Sequence, residues 1–346
     1  MPVSVLIPLY NAEKFLRQSV ESALDQPETG EVLIWDDAST DKSLVLAREL
    51  AQQDQRIKVF YNTENKGNYA VRNALIKAST CEYLAFLDAD DYFLPARFSV
   101  SLPILEKDSS LDGVYEAFEN FDNSALEGND PYLKSALADV PRNIAPEKLF
   151  RHLMLYSRYS RPLTIFLCRR STYSKIPPIP ENYVKGMDSI VTYQLAASCR
   201  LVAGKINEPV FRRRLHETNL SIRVGQRRYF HDLVAAKYFV NWVSNNLEQE
   251  DILYSRLYIM NYARVFYNLT LLRVVLPYRL FKYLSRIIAH LRLLGDFPVL
   301  CTFGEYWFVF LRILLRGEIV FSQKWYQPYQ AETEAGTEPL NVQAGI

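Results

Sequence analysis

Residues 3–87 switch repeatedly between two hydrophobic periods. Val3–Pro8 is a short apolar run, partly β-branched, and predicts a buried strand. Asn11 is placed to cap a helix whose apolar face is Ala12, Leu16, Val20, Ala23 and Leu24. Glu31–Trp35 predicts a second strand. Ser39-Thr40-Asp41 is a capping cluster, and Leu44, Ala47 and Ala51 mark the next helix. Ile57–Tyr61 predicts a third strand, followed by a polar loop over 62–68 that contains Gly67. Ala70, Val71, Ala74, Leu75 and Ala78 give a third helix, and Tyr83–Leu87 a fourth strand. This β-α-β-α-β-α-β order predicts a mostly parallel sheet with helices on both faces.

Beyond residue 110 the pattern loosens. Ala145–Tyr156 predicts a helix and Leu163–Cys168 a strand. Pro177, Pro178 and Pro180 mark a rigid loop, and Asp188–Ala197 returns to helical spacing. From about 226 the chain reads as helical and rich in Tyr, Phe and Leu, and the polar tail 331–346 reads as flexible.

Composition adds limits. At about 100–200 residues per domain, 346 residues allow two domains or one large α/β domain with an appendage. Cys81, Cys168, Cys199 and Cys301 lie far apart and form no CxxC pair, which argues against structural zinc and for a reducing compartment. Residues 1–220 hold 26 Lys/Arg against 29 Asp/Glu, whereas 221–330 hold 14 against 7. A basic C-terminal third points to an anionic partner there. The opening Met1-Pro2-Val3 has no basic n-region, and no run of 18 apolar residues occurs. A cytoplasmic chain, or one seated on the inner face of the cell membrane, is the expectation.

Parallel sheets bind ligands at the carboxyl ends of their strands, so polar residues just after each apolar run matter most. Tyr10-Asn11 follow the first strand, Asp36-Asp37 the second, and Asp88-Ala89-Asp90-Asp91 the fourth. Three crowded carboxylates repel one another unless a cation is present, and oxygen ligands suit Mg²⁺ or Mn²⁺. A solvated acidic turn is the plainer alternative. Neither GxGxxG nor GxxxxGK[ST] occurs, so dinucleotide and Walker-type phosphate loops are poor fits. Arg72 and Asn73 fall off the apolar face of their helix; Arg72 can reach a diphosphate or simply face solvent.

These segments occur in the order Val3–Asn11, Asp36–Asp41, Asn65-x-Gly67-x-x-x-x-Arg72-Asn73 and Phe86–Asp91. Together they resemble the family 2 glycosyltransferases and their GT-A fold. The likeness is close over 3–100 and loose over 101–222. It implies inverting transfer of a sugar from a nucleotide donor, usually UDP-linked, with Mn²⁺ or Mg²⁺. By that resemblance Pro8, Leu9 and Tyr10 line the nucleotide and Asp37 contacts the uracil. Arg72 faces the base or phosphate, Asp88 the ribose or sugar, and Asp90 the metal. Asp188, in Lys185-Gly186-Met187-Asp188, matches the position of the catalytic base; a plain helix cap is the alternative, since Met187 replaces the usual Glu. Phe211–Ser221 resembles the family's closing segment, which puts Arg214 near the leaving group and His216 near the metal. His216 can equally be structural.

The resemblance implies a catalytic domain over 1–222, with a nucleotide-sugar half (1–110) and an acceptor half (111–222). A helical, basic and aromatic extension (223–330) follows. Within it, 276–294 carries Arg279, Lys282, Arg286 and His290 on one side and Leu280, Leu284, Ile287, Ile288 and Leu291 on another. It reads as an amphipathic helix for an anionic membrane, or as one packed on the catalytic domain. The implied partners are a nucleotide-sugar donor and a glycan or lipid-linked acceptor; no nucleic-acid motif occurs. Two alternatives remain at this point. One is a non-catalytic sugar-nucleotide-binding scaffold. The other is a phosphohydrolase, whose Asp-x-Asp follows the first strand rather than the fourth.

Overall fold

The structure is a computed structural model that describes residues 2–122, 141, 144–156, 162–181, 183, 186–216, 238–239, 241–248 and 251. The chain divides into a compact unit, Met1–Met260, and a second unit, Asn261–Ile346, so all described residues belong to the first. The segments 276–294 and 331–346 lie outside the described residues.

The amino-terminal half follows the expected order: β1 (Val3–Leu9), α1 (Leu16–Leu24), β2 (Thr29–Asp36), α2 (Ser43–Gln53), β3 (Ile57–Tyr61), α3 (Asn68–Ala78) and β4 (Tyr83–Phe86). Then come β5 (Tyr92–Phe93), α4 (Ser101–Lys107), β6 (Gly113–Tyr115), β7 (Glu119–Asp122), α5 (Pro146–Tyr156), β8 (Phe166–Arg169), α6 (Met187–Ser198), β9 (Leu201–Ala203) and β10 (Phe211–Leu215). The main sheet runs β3-β2-β1-β4-β8-β6-β9. Its first four strands are parallel, and β8 is antiparallel to both β4 and β6. β1 and β4 are central and buried on both faces, which is why they read as unbroken apolar runs. Gly113 is needed where β6 meets β8, because a Cβ there would stand 2.6 Å from Cys168 Sγ.

A second, three-stranded sheet runs β5-β10-β7. It matters for function because β5 follows the acidic turn directly, and β10 pairs antiparallel with it. Sequence periodicity does not reveal this sheet, since β5 has two residues and β7 (Glu-Asn-Phe-Asp) and β10 (Phe-Arg-Arg-Arg-Leu) are mostly polar.

Three local expectations change. Asn11 does not cap α1, which begins at Leu16 after Phe15. Asn11 instead adopts a positive φ of 49°, and its side-chain oxygen accepts the Thr40 N–H at 2.8 Å. The segment 163–168 opens with a 3₁₀ turn, Leu163–Ile165, before β8 begins. Arg72 and Asn73 are buried rather than solvated: Arg72 lies over the Phe86 ring of β4 and reaches Asp88, and Asn73 is held by the loop at Ile179–Glu181. The helical character expected after 226 is present at 238–239 and 241–246, where Phe239 is fully buried against Phe150, Tyr193 and Trp242. These residues therefore complete the core of the first unit beyond 222.

Two buried charge networks brace the sheet. Arg97 and Glu116 are fully buried and ion-paired, and Arg97 also donates to the Thr164 carbonyl at 3.1 Å. At the amino-terminal end of the sheet, Glu31 accepts from Ser4 Oγ (2.6 Å), Lys58 Nζ (2.7 Å) and Thr80 N (2.7 Å). Burial alone would raise the Glu31 pKa, but these bonds outweigh it and leave it at about 2, against an ordinary 4.5. The stability this contributes is fully present above pH 4.5 and is lost as pH falls towards 2. We expect Glu31→Gln to lower the unfolding free energy at pH 7 by about 1–3 kcal/mol. It should also flatten the acid limb of the thermal melting profile between those two pH values.

Candidate active site

The site lies at the carboxyl ends of β1, β2 and β4, where four polar segments converge. Pro8 and Leu9 end β1, and Tyr10 follows with half its surface exposed, so its ring is available to stack on a ligand. The turns after β1 and β2 are laced together. Asn11 N–H donates to Ser39 Oγ (2.9 Å), Ala12 N–H to Ser43 Oγ (2.8 Å), and Lys42 N–H to Glu13 Oε2 (2.9 Å). Asn11 and Ala38 both hold positive φ, at 49° and 58°. Such backbone strain in a non-glycine residue persists only where surrounding bonds enforce it.

Asp37 is buried at the end of β2, and its carboxylate organises the loop before α3. Its Oδ1 accepts from Asn62 Nδ2 (2.7 Å) and Lys66 N (2.9 Å), and Oδ2 accepts from Gly67 N (2.8 Å). Gly67 has φ +89°, a conformation that favours glycine. Oδ1 is thereby filled, while Oδ2 retains one lone pair.

Arg72 rises from α3 and lies over the Phe86 ring, 4.9 Å from its centroid. Its Nη2 donates to Asp88 Oδ1 at 2.6 Å, and its Nη1 is buried without a partner. An unpartnered guanidinium nitrogen next to a carboxylate pocket is a ready donor for a ligand oxygen.

The acidic turn is the electrostatic centre. Burial, then Arg72 in opposition, then Asp90 and Asp188 leave the Asp88 pKa above its ordinary value. Burial together with Asp90 and Asp88 pushes Asp91 well above its own. Asp91 Oδ1 accepts the Arg214 N–H at 2.9 Å, and Oδ2 is buried without a partner. Asp90 Oδ2 lies 2.9 Å from His216 Nε2. The His216 ring packs on Phe15 at 4.8 Å.

Arg214 sits among aromatic rings, 4.8 Å from Phe15, 5.8 Å from Tyr92 and 4.7 Å from Phe121. Its Nε donates to the Asp90 carbonyl at 3.0 Å, and Nη2 to Gln18 Oε1. The guanidinium thus fastens β10 to the acidic turn. Helix α1 assists from below: Ser19 Oγ donates to the Asp88 carbonyl at 3.3 Å, and Phe93 N–H donates to Ser22 Oγ at 3.0 Å.

Asp188 stands in the first turn of α6, one residue after Met187, and Gly186 precedes the helix with φ 91°. Asp188 Oδ1 is buried without a partner. The Asp188 charge acts on Tyr69, Arg72 and Asp88, so it belongs to the same cluster. It does not serve as the cap of α6; Gly186 holds that position.

Among the described residues no group of three or more His, Cys, Asp or Glu is placed to hold a metal. Asp90 and His216 offer two ligands. That suits a cation such as Mn²⁺ or Mg²⁺, which usually takes one or two protein ligands and completes its shell with phosphate oxygens and water.

Comparison with known proteins bears on the family and the fold. Residues 4–176 match Glycosyl transferase family 2. The chain belongs to glycosyltransferase family 2. Among curated relatives, the putative glycosyltransferase EpsH of Bacillus subtilis is 32% identical over 174 residues, covering 46% of this chain and 50% of EpsH. UDP-Glc:alpha-D-GlcNAc-diphosphoundecaprenol beta-1,3-glucosyltransferase WfgD of Escherichia coli is 28% identical over 168 residues, covering 48% of this chain and 60% of WfgD. The match thus spans about half of each relative's length. Among solved structures, S. aureus TarS 1-349 superposes with a TM-score of 0.57 at 19% identity, covering 77% of this chain and 73% of that one. The fold is accordingly the GT-A type, and family membership sets aside the phosphohydrolase alternative.

All ten candidate residues lie among the described residues and fall around this one crevice or its supports. The sequence pattern did not single out Asn62, Phe15, Gln18 or Tyr69. Each acts through a tertiary bond that local periodicity does not encode.

The paired but crowded charges make the site sensitive to neutralisation. Asp91→Asn removes a buried, unpartnered carboxylate oxygen yet keeps an oxygen for the Arg214 amide. We expect it to raise the stability of the metal-free protein at pH 7 by about 1–3 kcal/mol. The raised Asp91 pKa means this gain grows as pH rises above 3.8 and vanishes below it. Chemical denaturation in chelator at several pH values measures it.

Proposed function

We propose that this protein is an inverting glycosyltransferase that moves a sugar from a UDP-sugar to a hydroxyl of a glycan or lipid-linked acceptor. The observation that carries the proposal is Asp188: a buried carboxylate oxygen without a partner, in the same charge cluster as the acidic turn.

The parts suit a single in-line displacement at the anomeric carbon. Asp188 takes the proton from the acceptor hydroxyl as the new bond forms. Arg72, with its free Nη1, receives donor phosphate or sugar oxygens, and Asp88 orients a ribose or sugar hydroxyl. Tyr10 stacks on the base, with Pro8 and Leu9 forming the floor. The open lone pair of Asp37 Oδ2 accepts one N–H, which matches the single N3–H of uracil. Guanine presents two adjacent N–H groups and would need both oxygens, but Oδ1 is filled. Asp90 and His216 would hold the divalent cation, which when bound neutralises charge developing on a departing diphosphate. Arg214 supports that pair by fixing β10 to the Asp90 backbone.

Relatives support the donor class. WfgD is named for UDP-glucose and a diphosphoundecaprenol-linked acceptor. A TarS 1-349 structure at TM-score 0.50 is in complex with UDP-GlcNAc. A lipid-linked acceptor would also give the basic segment 276–294 a purpose at a membrane surface. No helix among the described residues is long and apolar enough to cross a membrane.

The decisive experiment is turnover against a panel of UDP- and GDP-sugars, reading nucleotide release. UDP-sugars should be turned over and GDP-sugars should not. Asp188→Asn should lower kcat by about 10²–10⁴-fold while UDP affinity changes less than about threefold. Normal turnover in that variant would remove Asp188 from the role. Chelator should abolish activity and Mn²⁺ or Mg²⁺ restore it; full activity in EDTA would refute the metal assignment.

A further inference from the structure

Helix α3 carries Tyr69, Arg72 and Asn73 at i, i+3 and i+4, so their side chains leave on one face. All three are buried, and each ends on a different part of the molecule. Arg72 holds Asp88. Asn73 pairs with the Ile179 backbone in both directions, donating at 2.7 Å and accepting at 3.0 Å. The Tyr69 hydroxyl accepts the Met187 N–H at 3.2 Å.

That last bond is made where it has most effect. Met187 is the first residue of α6, and its N–H is one of the amides that a helix start leaves without an intrahelical acceptor. No side chain caps this helix locally, because Gly186 has none to offer. Tyr69 supplies the acceptor from 118 positions away. The next residue is Asp188, whose Oδ1 has no partner to hold it in place. Two things would otherwise favour fraying: a left-handed glycine at the helix start, and a buried carboxylate drawn to water. The hydroxyl of Tyr69 opposes both.

We propose that Tyr69 is the positioning residue for Asp188: its hydroxyl pins the first amide of α6 and so keeps the Asp188 carboxylate in the crevice. The proposal rests on the reading of Asp188 as the base. It also links the two sides of the site mechanically. Helix α3 starts at the loop whose Gly67 N–H is held by Asp37, and its flank ends on the helix that carries Asp188. One rigid element therefore touches both the nucleotide side and the base.

Tyr69→Phe in the full-length protein tests this, since it keeps the ring and deletes the hydroxyl. We expect kcat to fall about 10–100-fold, as a misplaced catalytic group does. The donor KM and the UDP Kd should stay within about twofold. Hydrogen exchange at the Met187 amide should accelerate while exchange across β1 does not. That contrast separates local fraying from global unfolding even if the variant melts lower. In an Asp188→Asn background the same change should lower kcat no further, because Tyr69 acts through Asp188. Unchanged kcat in Tyr69→Phe would overturn the proposal. So would a loss of UDP affinity parallel to the loss of kcat. If Asp188→Asn itself turns over normally, the base reading fails whatever Tyr69 does; if Asp188→Asn is inactive and Tyr69→Phe is normal, only the present proposal falls.

Discussion

Three carboxylates within four residues, at the end of a strand buried on both faces, are the constraint around which the catalytic half is built. Burial raises the pKa of Asp88 and Asp91, and the neighbouring carboxylates add to the rise. The molecule answers with partners drawn from separate elements. Arg72 comes from α3, the Arg214 amide and His216 from β10 and its end, and Ser19 from α1. None of these is near the turn in sequence. The acidic turn is therefore the place where α1, α3, β4 and β10 are made to meet, and the small second sheet exists to bring β10 there. The compensation is incomplete, since Asp91 Oδ2 and Arg72 Nη1 still lack partners. An incompletely satisfied buried network is unfavourable for the apo protein and suited to a charged ligand.

Legibility from sequence follows the range of the interactions. The β-α alternation of residues 3–87 was readable because β1, β2 and β4 bury both faces and their helices bury one, which leaves a strong period. Asp37, Asp88 and Asp90 stand out as candidates because a parallel sheet gathers ligand-binding groups just past its strand ends, whereas Asp188, at the start of α6, stands out only by the family resemblance. Asn11 misled because a helix cap and a strained turn use the same residue types; only the partner, Thr40 in the neighbouring loop, tells them apart. Arg72 and Asn73 looked solvated because a polar residue off the apolar face of a helix usually is. Here a proline-bearing loop more than 100 positions away takes Asn73, while Phe86 and Asp88 take Arg72. β5 is too short to carry a period, and β7 and β10 are mostly polar.

The Asp37 carboxylate shows how one residue can be both structural and specific. Three donors converge on it, and two of them are backbone amides of the loop that starts α3. This fixes the loop and leaves a single acceptor direction open on Oδ2. On the proposed reading of this pocket as the nucleotide site, few contacts are needed to discriminate. A ligand that offers two adjacent donors finds one of them facing an oxygen already occupied, and the resulting unpaired buried group is costly.

The same economy governs the other end of α3. An N-terminal helix cap placed in the local sequence would have fixed α6 independently of the donor side. Placing the acceptor on Tyr69 instead ties the start of α6 to the helix that holds Asp88. Any displacement of α3 that alters the Arg72–Asp88 pair must also alter the seat of Asp188, since both bonds leave the same helical face. Asp88 and Asp188 are then not two independently positioned groups. One helical face holds the partner of the first and the amide that precedes the second.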